Sequence, residues 1–238
     1  MHKGFTLAEV LITLGIIGVV AAMTLPALIQ NNTETARVTA LKKQYSILNQ
    51  AYQRIVFDKS TPDIWLKDCE NTKDCSEKFA NEFKEHLKIL KDCGFTQGCF
   101  KDADVKNFDG SDYFNFDQRN ETAGEYKVAL NDGTGLMFYA DNLGGVNIKI
   151  DIDGFKGEHT LGKDIFILNP KSDNKMTLEP NGAEYSEGYQ KACLDVGITS
   201  GRGKGFQCSA WVIYNGNMDY LHCPGKLKTN NWNNCKGK

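Results

Sequence analysis

Eight cysteines are the residues of this 238-residue chain best suited to chemistry of their own. Their number is even, which is typical of exported domains stabilised by disulfides. Zinc sites are the alternative, but they commonly use ligand pairs spaced C-x-x-C, a spacing this sequence lacks, and the four histidines are scattered. The pattern therefore favours disulfides over a metal centre. The cysteines are Cys69, Cys75, Cys93, Cys99, Cys193, Cys208, Cys223 and Cys235.

The cysteines fall into two groups of four, separated by a long cysteine-free segment that reads as β-sheet. We therefore predict four disulfides, with pairing confined to each group. This restriction reduces about 105 possible connectivities to nine. Within each group we favour disulfides between cysteines that are neighbours in the sequence. The favoured pairs are Cys69–Cys75, Cys93–Cys99, Cys193–Cys208 and Cys223–Cys235.

Three aspartates lie in a glycine-rich stretch that ends at Phe166: Asp151, Asp153 and Asp164. Their carboxylates could supply hard oxygen ligands for calcium. The alternative is a turn in which aspartate side chains bind their own backbone, and the sequence favours it. Motifs for phosphate loops, dinucleotide binding or a serine nucleophile elbow are missing from the sequence. We interpret His86 beside Glu85 as solvated surface, and expect neither an enzyme nor a cofactor.

Charge gives little support for nucleic acid binding overall, because the formal net charge is -2. From Gly201 onward, however, the sequence carries six Lys or Arg and a single acid, Asp219. A basic, aromatic patch can bind DNA or a polyanionic surface. The favoured alternative is a solvated tail whose aromatic side chains pack on the head. The aromatic residues concerned are Trp211, Tyr214, Tyr220 and Trp232.

An apolar run extends from Phe5 to Ile29 and contains one charged residue, Glu9. As a helix these 25 residues are about 37 Å long, enough to cross a hydrocarbon core of about 30 Å. A secretory signal would be cleaved after its apolar region, and Ala21-Ala22 imitates such a site, but the apolar run continues beyond it. A plain membrane anchor leaves Glu9 unexplained, since an intramembrane carboxylate indicates a function.

The segment Gly4-Phe5-Thr6-Leu7-Ala8-Glu9 resembles the class III prepilin signal of type IV pilins and type II secretion pseudopilins. The resemblance implies that a prepilin peptidase cleaves after Gly4 and methylates Phe5. It also assigns assembly roles to Glu9, Gly18 and Pro26, the last two loosening the helix in a filament. The basic leader would remain in the cytoplasm, with everything after Ile29 outside.

Residues 151–166 and the C-terminal segment around Trp211 also resemble parts of pilin-like heads. The loop pattern in those heads is D-x-N-G-x-x-G followed by G-x-D-x-F. This chain departs from it with Asp153 in place of asparagine and Glu158-His159 in place of Pro-Asn.

Helical periodicity continues past the apolar run in a stripe of residues spaced three or four apart. We expect the stripe to pack on a sheet rather than form a coiled coil, because it has too few apolar positions for a coiled-coil interface. The helix should break at 58–63, and a second helix is predicted from Ser76, as N-cap, to Lys91, with Gly94 as its stop. The stripe comprises Val38, Leu41, Tyr45, Leu48, Tyr52 and Ile55.

From Tyr126 the apolar period changes to two, with a hairpin signal at Asn131-Asp132-Gly133. Strands are predicted at 126–130, 136–140, 146–150 and 165–168. Residues 209–215 favour a short helix over the alternative of a further strand. The fold class is therefore α+β: a long N-terminal helix on an antiparallel sheet of three or four strands. The predicted regions are a leader (1–4), an assembly helix (5–29), its amphipathic continuation (30–57), a Cys-rich insertion (58–103), a β-sheet head (104–192) and a Cys-rich flap (193–238).

These features predict a structural filament subunit of the cytoplasmic membrane, with one span and its head outside, that later enters a periplasmic or extracellular filament. Its expected partners are other pilin or pseudopilin subunits, the prepilin peptidase, an inner-membrane assembly platform and, before assembly, membrane lipid. The alternative is a membrane-anchored exported binding protein or adhesin, with a role in DNA uptake as one version.

Overall fold

The computed structural model describes residues 6–100, 104–107, 110–115, 124–154, 156, 159–170, 176–184, 192–193 and 205–222. The chain divides into two compact units, Met1–Ala36 and Arg37–Lys238. Its helices are α1 (Leu7–Lys59), α2 (Pro62–Trp65), α3 (Thr72–Lys84) and α4 (Ser209–Asn215), and Asp219–His222 forms a 3-10 turn. Its strands are β1 (Ile89–Gly94), β2 (Asp104–Lys106), β3 (Asp112–Asn115), β4 (Tyr126–Leu130), β5 (Gly135–Ala140), β6 (Val146–Asp151), β7 (Ile165–Pro170) and β8 (Leu178–Pro180).

The part of α1 in the second unit buries the predicted apolar stripe. Five of its six residues are buried: Val38, Leu41, Leu48, Tyr52 and Ile55. The sixth, Tyr45, is partly buried and packs against the same core. The helix ends at Lys59, and Ser60 follows in the left-handed region at φ 74°. The predicted break at 58–63 is confirmed.

Six antiparallel strands form the main sheet in the order β1-β4-β5-β6-β7-β8, and β2 pairs with β3 in a second sheet. The α+β class is confirmed, as are the β4–β5 hairpin and the helix α4. The main sheet has more strands than the three or four expected, because the short strands β1 and β8 extend its edges. Neither strand shows a clean alternating pattern in the sequence.

Helix α3 corrects one prediction. It begins at Thr72, and its N-cap is Asn71, whose Oδ1 accepts hydrogen bonds from the backbone N–H groups of Lys73 (3.0 Å) and Asp74 (3.1 Å). Ser76 lies inside the helix, where its buried hydroxyl bonds to the backbone of Ala140. The predicted end at Lys91 is wrong, because residues from Ile89 onward pair with β4. Leu87 and Leu90 continue the helical spacing, so local periodicity gave no signal for this change.

Both outer strands of the main sheet are short or irregular. The register of β1 against β4 shifts twice, between Ile89 and Lys91 and between Asp92 and Gly94. At the opposite edge, β8 has three residues and ends at Pro180.

The core has one cluster on each face of the sheet, because successive side chains of a strand point to opposite faces. On the helix-covered face Phe138 packs against Phe79 and Phe83, with ring centroids 5.8 Å and 5.4 Å apart. On the other face Met137 joins a smaller cluster with Phe100.

Among the residues that the structure describes, three disulfides stabilise the loops of the head: Cys69–Cys75, Cys93–Cys99 and Cys193–Cys208. These are three of the four pairs that the sequence favours, and they respect the two predicted groups. Cys223 and Cys235 lie outside the described residues.

Candidate functional site

Thr6 and Glu9 form a reciprocal hydrogen-bonded cap at the start of α1. The Thr6 backbone N–H and hydroxyl both donate to Glu9 Oε2 at 2.8 Å, and the Glu9 N–H donates to Thr6 Oγ1 at 3.2 Å. This is a capping box, in which the side chains of the N-cap residue and of the third helical residue satisfy each other's backbone donors. The carboxylate of Glu9 is therefore hydrogen-bonded within its own chain. The T-x-x-E spacing carries this signal, but the sequence analysis missed it.

The helical residues after this cap present an apolar surface. An 18-residue window of α1 has a mean hydropathy of 2.3, and none of it is buried. By length and composition the helix can cross a membrane. A Cβ added at Gly18 would meet nothing within 4 Å. Pro26 lies inside the helix, where it cannot donate the usual backbone hydrogen bond. Gly4 and Phe5 lie outside the described residues.

The family model for the prokaryotic N-terminal methylation motif matches residues 1–25. Residues 1–25 therefore carry a class III prepilin leader, which supports a type IV pilin-like protein. Proteins with this motif have a structural rather than a catalytic role. They are made as precursors, which a prepilin peptidase cuts, and they assemble with other pilin subunits. The motif and the apolar helix together fit a membrane-anchored pilin. No curated protein and no solved structure matches the chain significantly.

The head, which lies in the second unit of the chain, brings the three candidate aspartates together. Asp151 Oδ1 accepts a hydrogen bond from the Gly154 N–H at 3.0 Å, and Asp164 Oδ1 accepts one from the Thr160 N–H. Such bonds to nearby backbone are what the turn interpretation expects. Within the described ranges, no group of three or more His, Cys, Asp or Glu is arranged to hold a metal ion.

Two further residues join these aspartates, and the sequence analysis missed both. His159 Nδ1 lies 2.6 Å from Asp151 Oδ2, and both side chains are buried. The guanidinium of Arg37 on α1 lies 3.8 Å from Asp153 and 3.9 Å from Asp164. Arg37 is remote in sequence and has no local motif, so only the packing of α1 on the sheet reveals it.

A groove of about 360 Å³ lies between α1, the connection after α3 and the β4–β5 turn. At its edge Lys43 Nζ and Gln44 Nε2 bind the carboxylate of Asp132 at 2.5 Å and 2.7 Å. These bonds tie α1 to the hairpin. His86 lines the groove and is partly buried rather than fully solvated as expected. The lining residues are Lys43, Gln44, Ile47, His86, Leu87, Lys88, Leu130, Asn131 and Asp132.

Two of the three C-terminal aromatic residues that the structure describes, Trp211 and Tyr220, pack into the head. Trp211 and Tyr220 are 5% and 1% exposed and meet edge to face at 5.6 Å. Tyr214 is exposed, and Trp232 lies outside the described residues. Buried rings cannot stack on nucleic acid bases, so the arrangement of Trp211 and Tyr220 favours the packed-tail interpretation.

Proposed function

We propose that this protein is a structural subunit of a type IV pilus-like or type II secretion filament. The observation that carries the proposal is the continuity of the methylation motif with an exposed apolar helix. A soluble protein would have to bury such a surface, whereas a membrane and then a filament core can cover it. Its function is assembly rather than catalysis.

The proposed sequence of events begins in the cytoplasmic membrane, with the leader inside and the disulfide-bonded head outside. The peptidase cuts between Gly4 and Phe5 and methylates the new terminus. The subunit then leaves the bilayer and joins a fibre through its apolar helix. Repeating one such contact between unlike surfaces gives an open helical filament rather than a closed ring.

Glu9 has the central role in this proposal. Cleavage creates an α-amine at Phe5, and the amine of a neighbouring subunit is a suitable partner for the Glu9 carboxylate. A charge pair in an apolar surround is stable only when both members meet, because each unpaired charge costs several kcal/mol of desolvation. The pair would therefore set the axial register of an incoming subunit. Gly18 and Pro26 give the helix the local freedom to adapt.

The proposal is tested by the intact mass of the protein from its native membrane. We expect a mature chain that begins at N-methylated Phe5. In the variant Gly4→Leu the peptidase cannot accommodate the leucine side chain at the cleavage site. The protein should therefore keep the mass of the uncut chain. The control is Gly15→Leu, at a helical glycine around which a new Cβ meets nothing within 4 Å. This control should be cut normally.

Normal maturation of Gly4→Leu would contradict the proposal. An uncut wild-type N-terminus in cells with an active prepilin peptidase would favour the membrane-anchored binding protein instead.

A further inference from the structure

The turn between β5 and β6, which we call the tip (residues 141–145), presents a leucine to solvent. Leu143 is 91% exposed, the highest value among the large apolar side chains that the structure describes. A single exposed leucine is ordinary on a protein surface. Its role therefore depends on how the tip holds it and on what surface elsewhere could receive it.

The side chain of Asp141 holds the tip in one conformation. Its Oδ1 accepts hydrogen bonds from the backbone N–H groups of Leu143 at 2.9 Å and Gly145 at 2.7 Å, and its Oδ2 accepts one from the Tyr139 hydroxyl at 2.8 Å. The Asp141 N–H donates to the Gly145 carbonyl at 2.9 Å, which closes the turn. A side chain on an ordered turn loses less conformational freedom when a partner buries it. Leu143 is therefore a pre-organised apolar anchor.

The groove beside the β4–β5 turn offers apolar surface for such an anchor. Its apolar lining comes from Ile47 on α1, Leu87 in the connection after α3 and Leu130 on β4, and its volume is about 360 Å³. A cavity of about 150 Å³ already holds a molecule of benzene's size, so there is room for a leucine side chain. Ile47 and Leu87 are only partly buried in the isolated chain. An occupant would therefore remove further apolar surface from water.

The tip and the groove lie at opposite ends of β5. This strand starts after the β4–β5 turn, which borders the groove, and ends at the tip. Its length is about 17 Å at roughly 3.4 Å per residue. One subunit therefore cannot place Leu143 in its own groove, whereas a second copy can. Because the two surfaces differ, such a contact repeats from copy to copy without closing into a pair.

Charge also favours a second copy as the occupant. The groove is lined by two lysines, Lys43 and Lys88, and by one acid, Asp132, which Lys43 already binds. Lys88 is exposed and forms no ion pair with any residue that the structure describes. The tip carries one charge, that of Asp141. Opposite charges favour contact between tip and groove and disfavour contact between two tips.

We propose that the tip inserts Leu143 into the groove of a second copy of this chain. The proposal rests on the proposed filament function, because one leucine cannot hold two free heads together. Subunits whose N-terminal helices are packed in a filament keep their heads at a high effective concentration, which makes a weak contact sufficient. The contact then orients each head against the next.

The test is a disulfide cross-link in filaments of the full chain carrying both Leu143→Cys and Leu87→Cys. Sheared filaments are oxidised and separated by size without reductant. Because the contact joins unlike surfaces, the double variant should give a ladder of dimers, trimers and longer products. Each single variant should remain monomeric. The matched control combines Leu143→Cys with Phe57→Cys, at a side chain that is 82% exposed, and should give no ladder.

A second set of variants changes only exposed residues, so the fold is retained. Leu143→Lys places a cation beside Lys88 and should lower the ratio of sheared-filament to membrane-bound protein about tenfold. Adding Lys88→Glu should restore most of this ratio, because opposite charges then meet across the contact. Leu143→Glu should be less defective than Leu143→Lys. This set decides the outcome if the double cysteine variant does not reach filaments.

Three results would overturn the contact and leave the filament function standing. They are a double cysteine variant that enters filaments without a ladder, dimers from Leu143→Cys alone, and a wild-type ratio for Leu143→Lys. A cross-link from the tip to a different pilin subunit would overturn the choice of a second copy. Absence of the wild-type protein from sheared filaments would instead refute the filament function, and this contact with it.

Discussion

Glu9 is a single side chain with two physical tasks. In the isolated chain its carboxylate caps the helix through Thr6, which lowers the cost of holding a charge in an apolar segment. In the proposed filament the same carboxylate pairs with the α-amine of a neighbouring Phe5. Assembly would then give the carboxylate a cationic partner in place of the neutral donors of the cap.

Substitution by glutamine separates the two tasks, because glutamine also completes a capping box but carries no charge. We predict that Glu9→Ala and Glu9→Gln are both inserted and cut, yet both enter filaments poorly, with Glu9→Gln nearly as defective as Glu9→Ala. The measurement is the ratio of sheared-filament to membrane-bound protein for each variant.

A normal ratio for Glu9→Gln beside a defective Glu9→Ala would assign the role to the cap rather than the charge. Normal ratios for both would remove Glu9 from assembly, unless the protein occupies only the filament tip, where no earlier subunit awaits it. Counting copies per filament decides that exception.

The segment after β6 depends on one glycine for a close approach between turns. Gly154 has φ 53°, and a Cβ there would lie 2.1 Å from the backbone oxygen of Gly133 in the β4–β5 turn. Gly144, in the β5–β6 turn, also has positive φ (92°), but a Cβ there meets nothing within 4 Å. The two glycines share the backbone constraint and differ in crowding.

We predict that Gly154→Ala destabilises the head by more than about 3 kcal/mol, because backbone must move as well as adopt a strained φ. Gly144→Ala should cost only about 1 kcal/mol, the cost of the left-handed conformation alone. Urea unfolding of the full chain in micelles measures both. Equal costs for the two variants would show that the contact with Gly133 does not constrain the fold.

Local signals account for what the sequence predicted correctly among the helices and strands. The Asn131-Asp132-Gly133 turn and the Gly216 stop of α4, at φ 71°, are encoded within a few residues. The end of α3 and strand β1 were not predictable in this way, since pairing with β4 overrides a helical spacing. The ion pairs of Arg37 with Asp153 and Asp164 were not predictable either, because they join segments far apart in sequence.

Disulfides hold together a head that is rich in loops. The loop closed by Cys193–Cys208 spans 15 positions, whereas those closed by Cys69–Cys75 and Cys93–Cys99 span 6 each. Cross-linking a longer loop removes more entropy from the unfolded chain. The C-terminal bridge therefore has the largest stabilising effect of the three.

Removing both cysteines of the C-terminal bridge by alanine substitution should lower the free energy of unfolding by about 3 kcal/mol, against about 2 kcal/mol for the Cys69–Cys75 pair. Chemical denaturation of the oxidised double variants gives both values. Peptide mapping of the wild type should recover the three bridges and a fourth between Cys223 and Cys235. Cross-links between the two groups of four, or a larger loss for the Cys69–Cys75 pair, would contradict this account.

The irregular margins of the main sheet have a consequence for molecules crowded side by side. An open strand edge is a template on which a second chain can add, which leads to aggregation. Here one margin is interrupted by two register shifts in β1, and the other ends in the three-residue β8 with its terminal Pro180. Neither offers a long, regular ladder, so heads held close together are protected from fusing into mixed β-sheets. In the proposed filament, association is thereby left to the N-terminal helix and to side-chain contacts between the heads.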